Sequence, residues 1–144
     1  MRTWKYVGTV LLAVAIASCT SHHPATPGSQ SLGENDNGRT VRVTVGTTVT
    51  VVLHSTYWTF AATPAGGVLG PAGAPQVSAS PVHACVPGQG CGSVTAGFTA
   101  LRVGVASIVA TRTVCGEAAL CPPGQRTYRV AIVVGDTPGR GAPS

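Results

Sequence analysis

An all-β sandwich of antiparallel strands, about seven of them, is the fold class this sequence predicts, and three observations predict it. From Thr40 onward, apolar residues recur at every second position, the period of a half-buried strand. Those positions hold mostly Val, Ile and Thr, whose branched side chains fit a pleated surface and disfavour helix. Clusters of Gly and Pro break the runs into short segments, and nothing after residue 19 carries convincing helical periodicity.

Taken in order, Val41, Val43 and Val45 alternate with Arg42 and Thr44 to make a first strand, and Gly46 and Thr47 turn the chain. Val49, Val51 and Leu53 alternate with Thr50 and Val52 in a second. Residues 57–61 (YWTFA) predict a third, with Trp58 and Phe60 on one face and Tyr57 and Thr59 on the other. Residues 63–75 (TPAGGVLGPAGAP) read as a loop with too few side chains to pack. Residues 76–82 form a weak edge strand, 93–100 and 104–112 two more, and 127–134 (TYRVAIVV) the last and most apolar. Residues 136–144 read as a flexible tail. Seven strands at this spacing, with a Trp in the third, predict an immunoglobulin-like sandwich over residues 40–135.

The first 19 residues carry a different signal. Arg2 and Lys5 precede an uncharged apolar run from Val7 to Ala17, shorter than the ~20 residues of a membrane span and typical of an export signal. The run closes on Ile16, Ala17, Ser18 and Cys19, which resembles the bacterial lipobox. That resemblance implies removal of residues 1–18, acylation of the Cys19 thiol and of the new amino terminus, and a lipid anchor on the extracytoplasmic side of the cell envelope. Each acyl methylene in the bilayer contributes ~0.8 kcal/mol, so two or more chains hold stably. Residues 20–39 are rich in Pro, Gly and polar residues, with Leu32 the sole aliphatic side chain larger than Ala. Residues 19–39 are therefore expected to be a lipidated Cys followed by a disordered linker. His22 and His23 lie in it, adjacent imidazoles that make only a weak metal site.

Cleavage leaves 126 residues, enough for one domain. They hold seven Arg, no Lys and four acidic residues, and the arginines stand singly along the chain. A nucleic-acid surface needs a clustered basic face and aromatic platforms, and neither is visible. No cofactor motif occurs, and a monomer is expected.

Cys85, Cys91, Cys115 and Cys121 fall into two identical spacings, Cys-VPGQG-Cys and Cys-GEAAL-Cys. In an exported domain four thiols imply two disulfides, and three pairings are open. Pairing Cys85 with Cys91 and Cys115 with Cys121 is favoured because each pair flanks an expected inter-strand loop. A four-thiolate zinc site is the alternative, at a spacing wider than structural zinc pairs adopt.

In an antiparallel sandwich alternate connections share a pole. The loop at His54, Ser55 and Thr56, the loop at residues 85–92 and the loop at residues 113–126 therefore fall together. Loops on a rigid scaffold carry recognition, and stapling lowers the entropy lost on binding. The expected contact residues are His54, Ser55, Thr56, Tyr57, Gly88, Gln89, Gly90, Arg112, Glu117 and Arg126. The same connectivity brings the linker in at that pole, which would turn the loops toward the envelope unless the linker swings the domain round.

Two families resemble this strand pattern. The run from Gly46 to Leu53, then Trp58, Phe98-Thr99-Ala100, Gly104 and the closing strand from Tyr128 to Val134 are similar to the chagasin-like cysteine-protease inhibitors. That resemblance implies a sandwich whose three loops at one pole enter the cleft of a papain-type protease. The family's Asn-Pro-Thr-Thr-Gly loop should stand at residues 53–58, where Asn-Pro and Gly are missing. Gly88-Gln89-Gly90 echoes its Gly-rich loop, and Arg112 alone matches its Arg-Pro-aromatic loop. Residues 93–96, 98–101 and 104–110 are similar to the strand pair of bacterial immunoglobulin-like surface repeats.

A hydrolase would need a nucleophile, a base and an orienting acid. His54, His83 and Glu117 form a conceivable cluster, but no nucleophile motif accompanies them, and no enzyme is expected. The expectation is an anchored domain that binds a protein partner through stapled loops, a papain-type protease being the sharpest case. The alternative is an envelope structural or assembly lipoprotein without inhibitory activity.

Overall fold

The computed structural model describes residues 28–63, 66–81 and 85–136. The expected export signal, Cys19, His22 and His23 lie outside those residues, as do His83 and residues 137–144 of the expected tail. Two sheets face one another. The first contains β1 (Ser29–Leu32), β3 (Thr48–His54) and β7 (Gly92–Ala100), with β5 (Leu69–Pro71) and β6 (Gln76–Ala79) following each other along the outer edge of β7. The second has the order β2 (Thr40–Thr44), β11 (Thr127–Gly135), β8 (Gly104–Thr111) and β4 (Thr59–Phe60). A small hairpin, β9 (Val114–Gly116) with β10 (Ala119–Leu120), stands in the connection from β8 to β11.

The period-two pattern translates directly into burial. Val49, Val51 and Leu53 of β3 and Val130 and Ile132 of β11 are completely buried, while their neighbours in sequence face outward. Val94, Ala96, Phe98 and Ala100 of β7 complete the inner face, with Ile108 and Ala110 of β8 opposite. Each fully buried Val, Leu, Ile or Phe side chain contributes about 1.5–3 kcal/mol relative to exposure. Phe60 and Phe98 meet between the sheets with ring centroids 6.2 Å apart.

Four expectations are corrected. First, the linker does not extend to residue 39: Ser29–Leu32 is a strand, Leu32 is buried in the core, and residues 34–36 form a 3-10 turn. One aliphatic side chain suffices here because backbone pairing with β3 and polar contacts hold the rest. Gly33 N–H donates to Asp36 Oδ2 (2.9 Å), and Asn37 Oδ1 accepts from Arg129 N–H (2.8 Å). Second, the sheets are mixed, because β1 runs parallel to β3 and β2 parallel to β11. Both pairings arise from residues 33–39, which cross from one sheet to the other where a hairpin would have kept β1 and β2 antiparallel neighbours. Third, the expected third strand shrinks to Thr59–Phe60, with Tyr57 and Trp58 in the turn before it. Fourth, the Gly/Pro stretch contains β5, with Leu69 buried.

The crossover also reverses the expected point of entry. Thr48 N–H donates to the Gly28 carbonyl (2.9 Å), so the described chain begins beside the start of β3. That end also holds the Gly46 turn and the β7–β8 connection. We call it the base pole. The connections at residues 55–58, 85–91 and 112–126 lie at the other end, the tip pole.

Candidate functional site

Three loops converge at the tip pole, and one carbonyl joins them. Gly88 O accepts a hydrogen bond from the Tyr57 hydroxyl (2.6 Å) and another from Glu117 N–H (2.6 Å). Residues 55–58 are further tied to the second loop by Ser55 N–H donating to Gly92 O and Thr56 N–H to Gly90 O, each at 2.8 Å. Gly90 sits beneath the Tyr57 ring with φ +63, where a Cβ would collide with the ring. Only glycine permits this approach at that backbone angle.

Disulfides Cys85–Cys91 and Cys115–Cys121 close the second and third loops in the favoured pairing. They consume the four thiols and leave no thiolate for the zinc alternative. Among the described residues no group of three His, Cys, Asp or Glu is placed to hold a metal. In the third loop Cys121 is buried, its N–H donates to Thr113 O (2.8 Å), and Arg126 Nε donates to Cys121 O (2.6 Å). The Arg112 guanidinium lies 4.4 Å from the centre of the Trp58 ring, while its Nε donates to Gln125 O (3.0 Å). Trp58 Nε1 in turn donates to His54 O (3.0 Å). Trp58 is therefore a buried post that ties the first loop to the third, and stacking contributes about 0.5–2 kcal/mol to that tie.

Backbone strain marks the same pole. Among the described residues the non-glycine positions with positive φ are Ser55 (104°), Glu117 (45°) and Ala118 (60°), and all three are in these loops. Glu117 and Ala118 form the exposed turn of the β9–β10 hairpin. Each such conformation costs on the order of 1–3 kcal/mol and persists where neighbouring structure enforces it. Here the enforcing elements are the staples and the Gly88 node.

The expected contact residues His54, Ser55, Thr56, Tyr57, Gly88, Gln89, Gly90, Arg112, Glu117 and Arg126 all stand at this pole. His54, Gly88, Gln89, Glu117 and Arg126 are exposed, while Arg112 and Tyr57 are half-buried and support the others. Of the conceivable His54–His83–Glu117 grouping, His83 lies outside the described residues, and His54 faces Glu34, with Nδ1 3.1 Å from Oε2. Glu34 also accepts the His54 backbone N–H. Burial pushes the Glu34 carboxyl up, but hydrogen bonds from the His54 and Glu34 backbone and the His54 ring outweigh it and hold the group below 4.5. Glu34 had no place in the sequence reading because it fell in the expected linker. The nearest signal was Leu32, the single residue there able to enter a core.

A depression of about 440 Å³ opens between Tyr57, Ala79, Val86 and Pro87 beside the first staple. Val86 is 54% exposed on its rim.

No family model and no curated protein matches the sequence. Solved structures do. The crystal structure of the cysteine protease inhibitor EhICP2 from Entamoeba histolytica aligns with a TM-score of 0.53 at 14% identity, covering 78% of this chain and 100% of that one. The solution structure of amebosin aligns with a TM-score of 0.51 at 19% identity, covering 76% of this chain and 100% of that one. What is shared is the fold. It is the all-β sandwich the sequence predicted.

Proposed function

We propose that this chain is an exported, lipid-anchored binding domain whose tip pole enters the cleft of a protein partner, and that the partner is a papain-type cysteine protease. The observation that carries the reading is the convergence on one pole of both staples and of Ser55, Glu117 and Ala118, the strained non-glycine positions among the described residues. A surface held this stiffly loses little entropy on docking, and inhibition of a protease requires a plug that does not adapt and become substrate. The chagasin-like strand pattern and the likeness in fold to a cysteine protease inhibitor support the choice of partner. The lipobox at Cys19 supports attachment to the envelope.

In mechanism, the exposed Glu117–Ala118 hairpin turn, His54, Gly88 and Gln89 supply the contacts, while half-buried Tyr57 ties their loops together through Gly88 O. The domain supplies no nucleophile and occludes rather than reacts. The mature, oxidised protein, titrated against a panel of papain-type proteases, is expected to inhibit at least one at micromolar concentration or below. Full activity of the whole panel would refute the inhibitory reading, and loss of surface binding after deletion of residues 116–120 would still locate a partner site at the tip.

A further inference from the structure

We propose that the base pole is a membrane-contact surface: Leu101, Val103 and Val105 enter the headgroup boundary of the bilayer that holds the anchor, and Arg102 and Arg42 meet its anionic phosphates. The proposal rests on the anchoring at Cys19 and is independent of the protease reading. Among the described residues, three of the large apolar side chains that are more than half exposed fall within residues 101–105: Leu101 (51%), Val103 (54%) and Val105 (67%). Arg102, between them, is exposed as well. Single exposed aliphatics need no explanation, but a group of them at one end of a domain marks a contact. The segment also has the wrong composition for a turn in water. Turns ordinarily hold Gly, Asn, Asp or Ser, whereas residues 101–103, which connect β7 to β8, are Leu, Arg and Val.

The fold braces this connection. Leu101 N–H donates to Val68 O (2.9 Å), and Arg102 Nε donates to Gly67 O (3.2 Å). Leu101 rests over Gly70, where a Cβ would lie 2.7 Å from its Cδ1. Val105 follows Val103 by two residues, about 7 Å of strand, within the ~5–10 Å that an interfacial apolar face reaches. Val105 is in register with Val133, and Val133 with Arg42, so an apolar row ending in a cation faces outward on the second sheet at this end. Chain path selects the bilayer as occupant. The described chain enters at this pole at Gly28, and Cys19 stands nine residues earlier, at most ~30 Å of chain. The tip also exposes Val86 and Leu120, but it lies at the far end from that entry. Charge agrees: Arg42 and Arg102 have no carboxylate partner among the described residues, and Asp136, exposed just past β11, is the acidic residue at this end. A cation at an anionic membrane surface strengthens binding about five-fold.

The test uses the mature protein carrying Cys19→Ser, so that no acyl chain contributes. The probes are vesicles of phosphatidylglycerol and phosphatidylcholine in equal parts, and vesicles of phosphatidylcholine alone. Co-sedimentation with the mixed vesicles is expected at about 1 mM lipid, on the order of ten times what half-binds a single myristoyl chain. Binding to phosphatidylcholine alone should be about five-fold weaker, a difference that shrinks as salt rises. Val103→Asp should weaken binding about ten-fold, while Val77→Asp, at a comparably exposed position on β6, should leave it unchanged. If Val103→Asp does not fold, Arg102→Gln decides: about five-fold weaker on mixed vesicles and unchanged on phosphatidylcholine. Position is read with brominated lipid, which should quench the indole introduced by Val103→Trp and not the one introduced by Leu120→Trp. Quenching in Leu120→Trp equal to or above that in Val103→Trp would make the tip a membrane face and overturn the proposal. No binding by the folded protein, binding indifferent to both Val103→Asp and Arg102→Gln, or self-association without vesicles that Val103→Asp abolishes would overturn it as well. The anchor is tested apart, by the mass of the amino-terminal peptide from membranes. Acylation without vesicle binding would remove the contact surface alone, and an unacylated Cys19 would remove the anchoring and the proposal with it.

Discussion

Replacing Gly90 by Ala tests whether the three tip loops act as one rigid unit. At φ +63 the new side chain costs about 1–2 kcal/mol in backbone conformation alone. Its Cβ would lie 2.5 Å from Tyr57 Cδ2 and 3.0 Å from Cζ, so the ring must move. Moving it breaks the bond from the Tyr57 hydroxyl to Gly88 O, which contributes about 1 kcal/mol and is one of the two bonds at the node. Gly46→Ala is the matched control: φ is +89, nothing lies within 4 Å, and the site is at the base pole. The difference between the variants is therefore about 1 kcal/mol, or about 4–8 °C in melting temperature for a domain of this size. Thermal unfolding followed by near-ultraviolet circular dichroism measures it, and titration against a papain-type protease reads the proposed inhibition. Gly90→Ala should melt below Gly46→Ala and lose inhibition, while Gly46→Ala keeps it. Coincident melting curves and equal inhibition would show that the Tyr57–Gly88 link has no role in holding the loops.

Three further outcomes are expected. The double variant Cys115→Ala, Cys121→Ala removes the staple under the hairpin and should lower stability by ~2 kcal/mol on the loop-entropy model, weakening capture while the core strands keep their hydrogen-exchange protection. Tyr128 is 1% exposed and its hydroxyl has no hydrogen-bond partner among the described residues, so Tyr128→Phe should be neutral or stabilising by about 1 kcal/mol in urea unfolding. Burial, then the charges of Asp36 and Glu34, push this phenol up to about 12; it leaves stability independent of pH below 10 and makes it fall as pH rises from 10 toward 12, a limb that Tyr128→Phe should flatten. The lowered carboxyl of Glu34 has the opposite sign: its contribution is full above 4.5 and lost as pH falls through its folded value, so Glu34→Gln should flatten the acid limb of the urea midpoint.

Alternation at period two was enough to place β3, β7, β8 and β11, because each has one face against the core and one toward water, and a one-residue slip would exchange them. The cysteine pairing was favoured, out of three left open, because each pair flanks an expected inter-strand loop, and the structure has that pairing. What could not be read was held by main chain. β1 carries a single buried side chain, Leu32, and owes its place to parallel pairing with β3. β5 likewise shows one apolar residue, Leu69, inside a run of Gly and Pro. Hydrophobic pattern has no purchase on such strands. At the tip, the loop residues were visible as loops, but the Gly88 node, the Trp58–Arg112 stack and the strained φ angles of Ser55, Glu117 and Ala118 are relations between segments distant in sequence.

The unread strand is also what orients the site. Had the fold begun at Thr40, the chain would have entered at the tip, beside the loops proposed to bind. β1 instead runs beside the first four residues of β3 and in the same direction, and the crossover at residues 33–39 brings the chain to the tip only after it has entered at the base. An anchor at Cys19 would be nine residues from Gly28, a contour of at most ~30 Å. Under the proposed anchoring, so short a lead would attach at the base pole and leave the stapled loops at the opposite end of the domain. The geometry that a sequence reading finds awkward for an envelope-bound binding domain thus becomes the one that favours it, and the cause is the pairing of four residues with β3.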